Sequence, residues 1–388
     1  MNGNGAGRTY LDYNATTPLA EGVLDAMLPF LAQSQGNPSS RHEEGRIARQ
    51  AIDDARSRIA QAVNARPDQV IFTASGTEAN NSIVRGIAER DRRPRLAIGA
   101  IEHPCVLCAA RTAAADGIHN LMPIACDDQG RYDMEDLAES AGKGETALVS
   151  LMLANNETGV IQDIAAVVSI AGEAGALIHV DAAQGLGKIP IDFAALGADA
   201  LTISAHKAGG PKGVAALIVK REVDWAPLLE GGGQESGLRS STENVAGIVG
   251  FGKAAELAAD RAQNQQHTAG LRDEMESRLS QAGAVIFGAK AMRLPNTCFF
   301  ALPRINGETL VMMLDQAGFA VASGSACSSF KEDASHVLLA MEVEEDLAAC
   351  AVRASLGPDT SPVQVAAFTD TVEQLASRLR SMAATCAT

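Results

Sequence analysis

Between Gln69 and Val219 short apolar runs alternate with stretches of helical period, and this alternation restricts the fold more than any other feature of the chain. Residues 70–73, 96–101, 121–125, 147–153, 177–180, 201–204 and 214–219 read as strands. Helices are expected from Gly76 to about Arg90, after Pro104, over 134–141 and over 164–174. Strands joined through helices build a mainly parallel sheet, because each crossover lays a helix over one face. The expected fold class is therefore α/β, with a mainly parallel seven-stranded sheet flanked by helices.

Such sheets bind ligands beyond the carboxyl ends of their strands, and the polar residues of this chain gather there. Glu102 and His103 follow one strand, Asn155, Asn156 and Glu157 another, Asp181 and Gln184 a third, and Ser204, His206 and Lys207 a fourth. A lysine flanked by small residues, where a strand leaves the core, can be held partly out of water. That lowers an amine's pKa and suits it to Schiff-base chemistry. An acid ending an apolar strand needs a cation to face, and a protonated pyridine nitrogen is one. Lys207 and Asp181 together suggest pyridoxal 5′-phosphate, whose sites pair these residue types. Taken singly, Lys207 also reads as a solvated lysine, Asp181 as a cap and His103 as a packed histidine. Ser75, Gly76 and Thr77 open a helix with free N–H groups and hydroxyls, which suits a phosphate or a plain N-cap.

The formal charge of −15 opposes a nucleic-acid backbone, and the arginines between 85 and 95 read as a solvated helix end, so no direct nucleic-acid binding is expected. No apolar run reaches membrane-spanning length, and the first seven residues lack the pattern of a secretory signal. A cytoplasmic location without membrane contact is expected. Seven scattered cysteines fit a reducing compartment better than a disulfide framework. Cys105 and Cys108 form a C-x-x-C with no second ligand pair nearby, so no metal site is expected and both read as small packing residues. Cys327 lies among serines, Gly324 and Ala326, too small and polar to bury it, and reads as an accessible thiol in a mobile loop over about 323–333.

Residues 244–282 read as a long helical region and as the junction to a second unit. Strands at 284–287, 297–301, 319–322 and 351–355, with helices at 307–317, 335–341 and 362–382, have the order of a smaller α+β domain. The expected division assigns 15–255 to a large domain, and 1–14 with 256–388 to a small one carrying the cysteine loop.

In this order the motifs Leu11 to Pro18, Gly36 to Ser40, Ser75 to Asn81, Glu102-His103, Ala154 to Gly159, His179 to Gln184, Ser204 to Lys207, Gly231 to Glu235 and Gly324 to Ser329 span nearly the whole chain. The chain thereby resembles the pyridoxal-phosphate-dependent cysteine desulfurases of the NifS/IscS type, in the class V aminotransferase-like group. The resemblance implies a fold-type I transferase and removal of sulfur from L-cysteine, leaving L-alanine and a persulfide on Cys327. By the same resemblance Lys207 would carry the cofactor as a Schiff base, Asp181 would hold the pyridine nitrogen protonated, and His103 would stack on the ring and help move protons. Gln184 and Asn156 would bond the phenolic oxygen and the substrate region. Gly76, Thr77, Ser204 and His206 would hold the phosphate, with Thr242 reaching in from the second subunit of a homodimer. Arg353 would grip the substrate carboxylate, with Asn14 and Asn156 also lining the substrate site. The implied partner is an iron–sulfur scaffold or another sulfur-acceptor protein. No resident metal is implied, although Cys327 could ligate an iron–sulfur cluster transiently. Ala208, Ser241 and Ala354 depart from the residues usual in relatives. An aminotransferase, a selenocysteine lyase or a non-catalytic protein that binds a sulfur-handling partner are the other readings of the same scaffold.

Overall fold

The structure is a computed structural model and describes residues 7–115, 117–324 and 334–386. In chain order the strands are β1 Thr9–Tyr10, β2 Val70–Thr73, β3 Arg95–Gly99, β4 Asn120–Ile124, β5 Thr146–Met152, β6 Leu177–Asp181 and β7 Ala200–Ser204. They continue with β8 Ala215–Val219, β9 Val285–Ile286, β10 Thr297–Ala301, β11 Phe319–Ala320, β12 Ala322–Ser323 and β13 Ala351–Ser355.

Strands β2 to β8 form the seven-stranded sheet in the order β2-β8-β7-β6-β5-β3-β4. Only β8 runs against its neighbours. The turn from Ser204 to Ala215 is too short for a crossover helix, so the chain can only fold back antiparallel. Successive residues enter different cores, as the pleat requires. Ile71, Leu96, Ile98 and Leu217 pack with Ile83 and Ile87 of the helix Gly76–Arg90. Phe72, Ala97, Ile218 and Ile203 pack with Ile52, Ile59 and Phe251 on the other face.

A second core gathers Leu11, Met275, Phe300, Leu310, Val352 and Phe368 around a four-stranded antiparallel sheet, β12-β13-β10-β9. The helices Gln266–Gln281, Gly307–Gln316 and Pro362–Cys386 supply its remaining side chains. Three sequence expectations change. The helical region over 244–282 is two helices, Val245–Ala262 and Gln266–Gln281, parted at a polar run, Gln263 to Gln265, with no apolar side chain to continue the buried stripe. The strand at 319–322 is divided between β11, paired with β1, and β12, paired with β13. A first helix, expected from the sequence over Leu19 to about Leu31, starts only at Val23, after Gly22 at φ +76°, and runs to Ala32.

Beyond β1 an isolated bridge joins Asp12 to Ser355 at the end of β13. The backbone N–H of Asn14 then donates to Ser355 Oγ at 2.9 Å. These contacts deliver the start of the chain, from the second core, to the carboxyl edge of the seven-stranded sheet.

Candidate active site

Beyond Ser204 the chain makes a single tight turn, Ala205–Lys207. Thr17 braces it, its N–H and hydroxyl both donating to the His206 carbonyl at 2.8 and 2.9 Å. The Lys207 ammonium donates to the carbonyl oxygens of Asn14 and Ala15 at 2.5 and 2.9 Å, a half-buried position at the strand end as the sequence predicts. His206 Nδ1 lies 3.2 Å from Thr16 Oγ1. Burial, with Lys207 and Lys212 nearby, pushes its pKa down to about 4, so His206 is neutral at pH 7.

Asp181 ends the adjacent β6 and is buried. Its Oδ1 accepts the Ala183 N–H at 2.9 Å and its Oδ2 accepts Asn80 Nδ2 at 2.7 Å, the latter from the second turn of the helix Gly76–Arg90. His103 follows β3 and caps the helix Pro104–Ala114, its Nδ1 accepting the Cys105 N–H at 3.2 Å. Burial lowers the His103 pKa. Asp181 opposes that shift, while Lys207 and His336 reinforce it.

Gly76 is the first residue of its helix, where backbone N–H groups lack intrahelical partners. It faces Ser204, whose hydroxyl is buried and has no hydrogen-bond partner among the described residues. Beside them a cavity of about 350 Å³ is lined by Ser75, Thr16, His206, Lys212 and Val214, among others. An unpaired buried hydroxyl aimed at a helix start is the donor set an anion requires. Thr77 side-chain oxygen meets the sulfur of Cys105.

Asn14, only 1 % exposed, is the hub of the site. Its carbonyl accepts from both Lys207 and Gln184, and its Nδ2 donates to the Asn156 carbonyl at 3.2 Å and to Thr297 Oγ1 at 2.9 Å. Gly159, at φ +75°, closes the turn that presents Asn156, and a Cβ there would stand 2.7 Å from that of Thr297. Arg353, on the central strand β13, donates to the same Asn156 carbonyl at 3.0 Å and to Asp12 Oδ1 at 2.8 Å. Its Nε is buried and unpartnered, so the fork is held in place with a donor to spare.

Several participants escape sequence reasoning. Lys188 is fully buried, donating to Asn14 Oδ1 at 2.8 Å and to Gln184 Oε1. Its burial, with Lys207 and Arg353 nearby, pushes its pKa well below the ordinary lysine value. Asn80 and Cys105 meet at 3.2 Å beside His103, so Cys105 lines the site rather than merely packing its helix. The only signal for Lys188 is its spacing four residues after Gln184, one helical turn. Ser335 donates to the buried carboxyl of Glu157, and His336 Nε2 lies 2.9 Å from the Glu102 carbonyl, which ties the segment after residue 333 to the site. Cys327 lies outside the described residues. Thr242 is exposed, and no hydrogen bond joins it to the Lys207 cluster among the described residues.

The family described as Aminotransferase class-V matches residues 9–368. A protein of Dictyoglomus turgidum named cysteine desulfurase IscS is 40 % identical over 381 residues, covering 96 % of this chain and 95 % of its own. A protein of Bradyrhizobium diazoefficiens named cysteine desulfurase is 40 % identical over 376 residues, covering 96 % and 95 %. Among solved structures, one titled NifS-like protein superimposes with a TM-score of 0.89 at 35 % identity, covering 95 % of this chain and 99 % of its own.

Proposed function

We infer that this chain, which belongs to the aminotransferase class-V family, is a cysteine desulfurase that binds pyridoxal 5′-phosphate and takes sulfur from L-cysteine. The observation that carries the reading is the convergence on Asn14, through which the Lys207 amine is linked to Asn156 and the Arg353 fork. The residues present fit the cofactor. The unpaired Ser204 hydroxyl, the free N–H groups at Gly76 and Thr77, and neutral His206 suit its phosphate, with Thr242 of a second copy completing the cradle. Asp181, oriented by the Ala183 and Asn80 N–H groups, suits the protonated ring nitrogen. His103 would lie against the ring, and Gln184 has one amide N–H beyond the bond to Asn14 that would serve the phenolic oxygen.

When bound, the cofactor supplies a ring that takes up the electron pair released at the substrate's α-carbon. Arg353 orients the substrate through its carboxylate, and Asn14 and Asn156 fix the direction of that fork. Lys207, whose amine the Asn14 and Ala15 carbonyl oxygens hold at the end of β7, would carry the cofactor and move the proton at the α-carbon. Cys327 is assigned by its motif as the thiol that attacks the substrate sulfur. L-cysteine and the Cys327 thiol become L-alanine and the Cys327 persulfide, so atoms and electrons balance without an external oxidant. The persulfide then serves an iron–sulfur scaffold or another sulfur-acceptor protein, with Cys327 able to ligate a cluster in passing. We assign residues 15–255 to the cofactor-binding domain and 1–14 with 256–388 to the small one. The working form is a cytoplasmic homodimer.

The test uses the protein and its Cys327→Ser variant, each incubated with L-cysteine and no reductant, with the peptide holding residue 327 weighed by mass spectrometry. One added sulfur on Cys327 and stoichiometric alanine are expected, both lost in the variant. Undiminished alanine from the serine variant would sink the assignment of Cys327. Turnover of a keto acid or selenocysteine in place of cysteine would select one of the other enzymes on this scaffold.

A further inference from the structure

We propose that Asn80 and Cys105 form an oriented hydrogen-bond chain that fixes His103 in the tautomer carrying its proton on Nε2, which makes His103 a donor rather than a base in the resting site. The proposal deepens the function inferred above and rests on it for the placing of His103 against the cofactor.

Each direction in the chain is set by chemistry. The carboxylate of Asp181 can only accept, so the amide group 2.7 Å from its Oδ2 must be Asn80 Nδ2 and not the oxygen. The second hydrogen of that same Nδ2 reaches Cys105 Sγ at 3.2 Å. Burial, with Asp181 and Glu102 nearby, pushes the Cys105 pKa up to about 12, so the sulfur keeps its proton at neutral pH. The Thr77 hydroxyl also bonds this sulfur, in the sense that lowers the thiol pKa and therefore as a donor, which leaves the S–H for His103 Nδ1 at 2.9 Å. The backbone N–H of Cys105 is 3.2 Å from the same Nδ1, and an N–H can only donate. Two donors on Nδ1 require its lone pair, and the ring proton is left on Nε2.

The chemical consequence is specific. A neutral imidazole takes up a proton only at its unprotonated nitrogen, and here that nitrogen is already engaged by the helix cap and the Cys105 thiol. His103 therefore offers an N–H at Nε2 toward whatever lies over it, and accepts a proton only after Nδ1 is released. Cys105 is a positioning residue that acts through His103. The other charged and titratable groups facing the ring, Asp181 from β6, Lys207 from the turn after β7 and His336 from the helix His336–Ala340, are unchanged by substitution at Cys105.

Histidine-selective ¹⁵N labelling tests this on the wild-type protein with and without pyridoxal phosphate, His103→Gln serving to assign the signals. Nδ1 is expected in the unprotonated range of shifts and Nε2 in the protonated range. In Cys105→Ala, loss of one donor to Nδ1 moves the His103 titration to higher pH by roughly 0.5–1, the equivalent of one net hydrogen bond. Cys105→Ser keeps a donor and returns the midpoint to that of wild type. A wild-type proton on Nδ1, or equal midpoints in both variants, overturns the proposal. The tautomer is read in the apoprotein as well, so failure of desulfuration alone would remove the functional reading and leave this measurement standing.

Discussion

Arg353 and Lys188 are both buried basic side chains, yet only Arg353 keeps a donor to spare for a ligand. Arg353 is oriented by Asp12 and the Asn156 carbonyl and keeps a buried Nε–H unpartnered among the described residues, so on the proposed reading its loss removes a carboxylate clamp. A charge-assisted bond of about 1.5–3 kcal/mol predicts that Arg353→Ala raises the apparent dissociation constant for cysteine roughly ten- to hundredfold. Titration of the cofactor absorbance with cysteine checks this, and an unchanged affinity would rule the role out. Lys188 instead spends its bonds on Asn14 Oδ1 and Gln184 Oε1. With a folded pKa well below the ordinary value, it binds fewer protons folded than unfolded, so its contribution to stability improves as pH rises toward the unfolded lysine pKa. Lys188→Met leaves buried Gln184 Oε1 without its donor, while Asn14 Oδ1 keeps the bond from Asn296 Nδ2, at a cost of about 1–3 kcal/mol. Its deficit against wild type is expected to widen from neutral pH toward pH 10 in urea unfolding. A constant difference across that range would contradict a lysine whose pKa is depressed by folding.

Strand ends carried the legible part of the site, whereas loops and distant segments hid the rest. Lys207, Asp181, His103 and Ser204 stand where apolar runs stop, a pattern visible without coordinates. Lys188 reads as one more surface lysine between Gly187 and Ile189, because the groups that bury it, notably Asn14, arrive from the other end of the chain. Cys105 reads as helix packing, since Asn80, which orients it, lies across another helix. The antiparallel β8 was hidden for a different reason: a fully buried apolar strand carries no mark of its direction. The loop from Gly231 to Asn244 shows strain that the sequence only hinted at. It is clamped by Glu235 to Arg56 at 2.6 Å, Arg239 to Glu78 at 2.7 Å and Glu243 to Arg49 at 2.5 Å. Ser241, where relatives usually carry glycine, is thereby held at φ +145°, a backbone region that favours glycine. Ser241→Gly is expected to raise the unfolding free energy by about 1 kcal/mol through relief of that strain. An unchanged or lower urea midpoint would show that the clamps carry no strain at this residue.

At the scale of the whole molecule, the surface argues for a second copy. Leu24, Leu28 and Leu31 follow helical spacing on the helix Val23–Ala32 and are about half exposed, while Val23 on the opposite side is buried. Leu19 and Ile47 are exposed as well. A row of exposed leucines on one helix face is what a homodimer interface covers. Thr242 supplies the second strand of the argument: it is exposed beside buried Glu243, on a loop whose three ion pairs fix where it points. If Thr242 completes the phosphate cradle of the neighbouring subunit, two variants that are each inactive can repair one another. Lys207→Ala removes the amine proposed to carry the cofactor, and Thr242→Asp would set a negative charge against its phosphate. In a mixed dimer, the site holding the intact Lys207 of one chain receives the intact Thr242 of the other. Refolding the two variants together at equal amounts makes half the dimers mixed, each with one complete site, so about one quarter of wild-type activity is expected. If Thr242 served its own chain, neither site of a mixed dimer would be complete, and co-refolding would restore nothing. Light scattering on the same samples must show a two-chain mass, since a monomer with restored activity would contradict both the interface and the shared site.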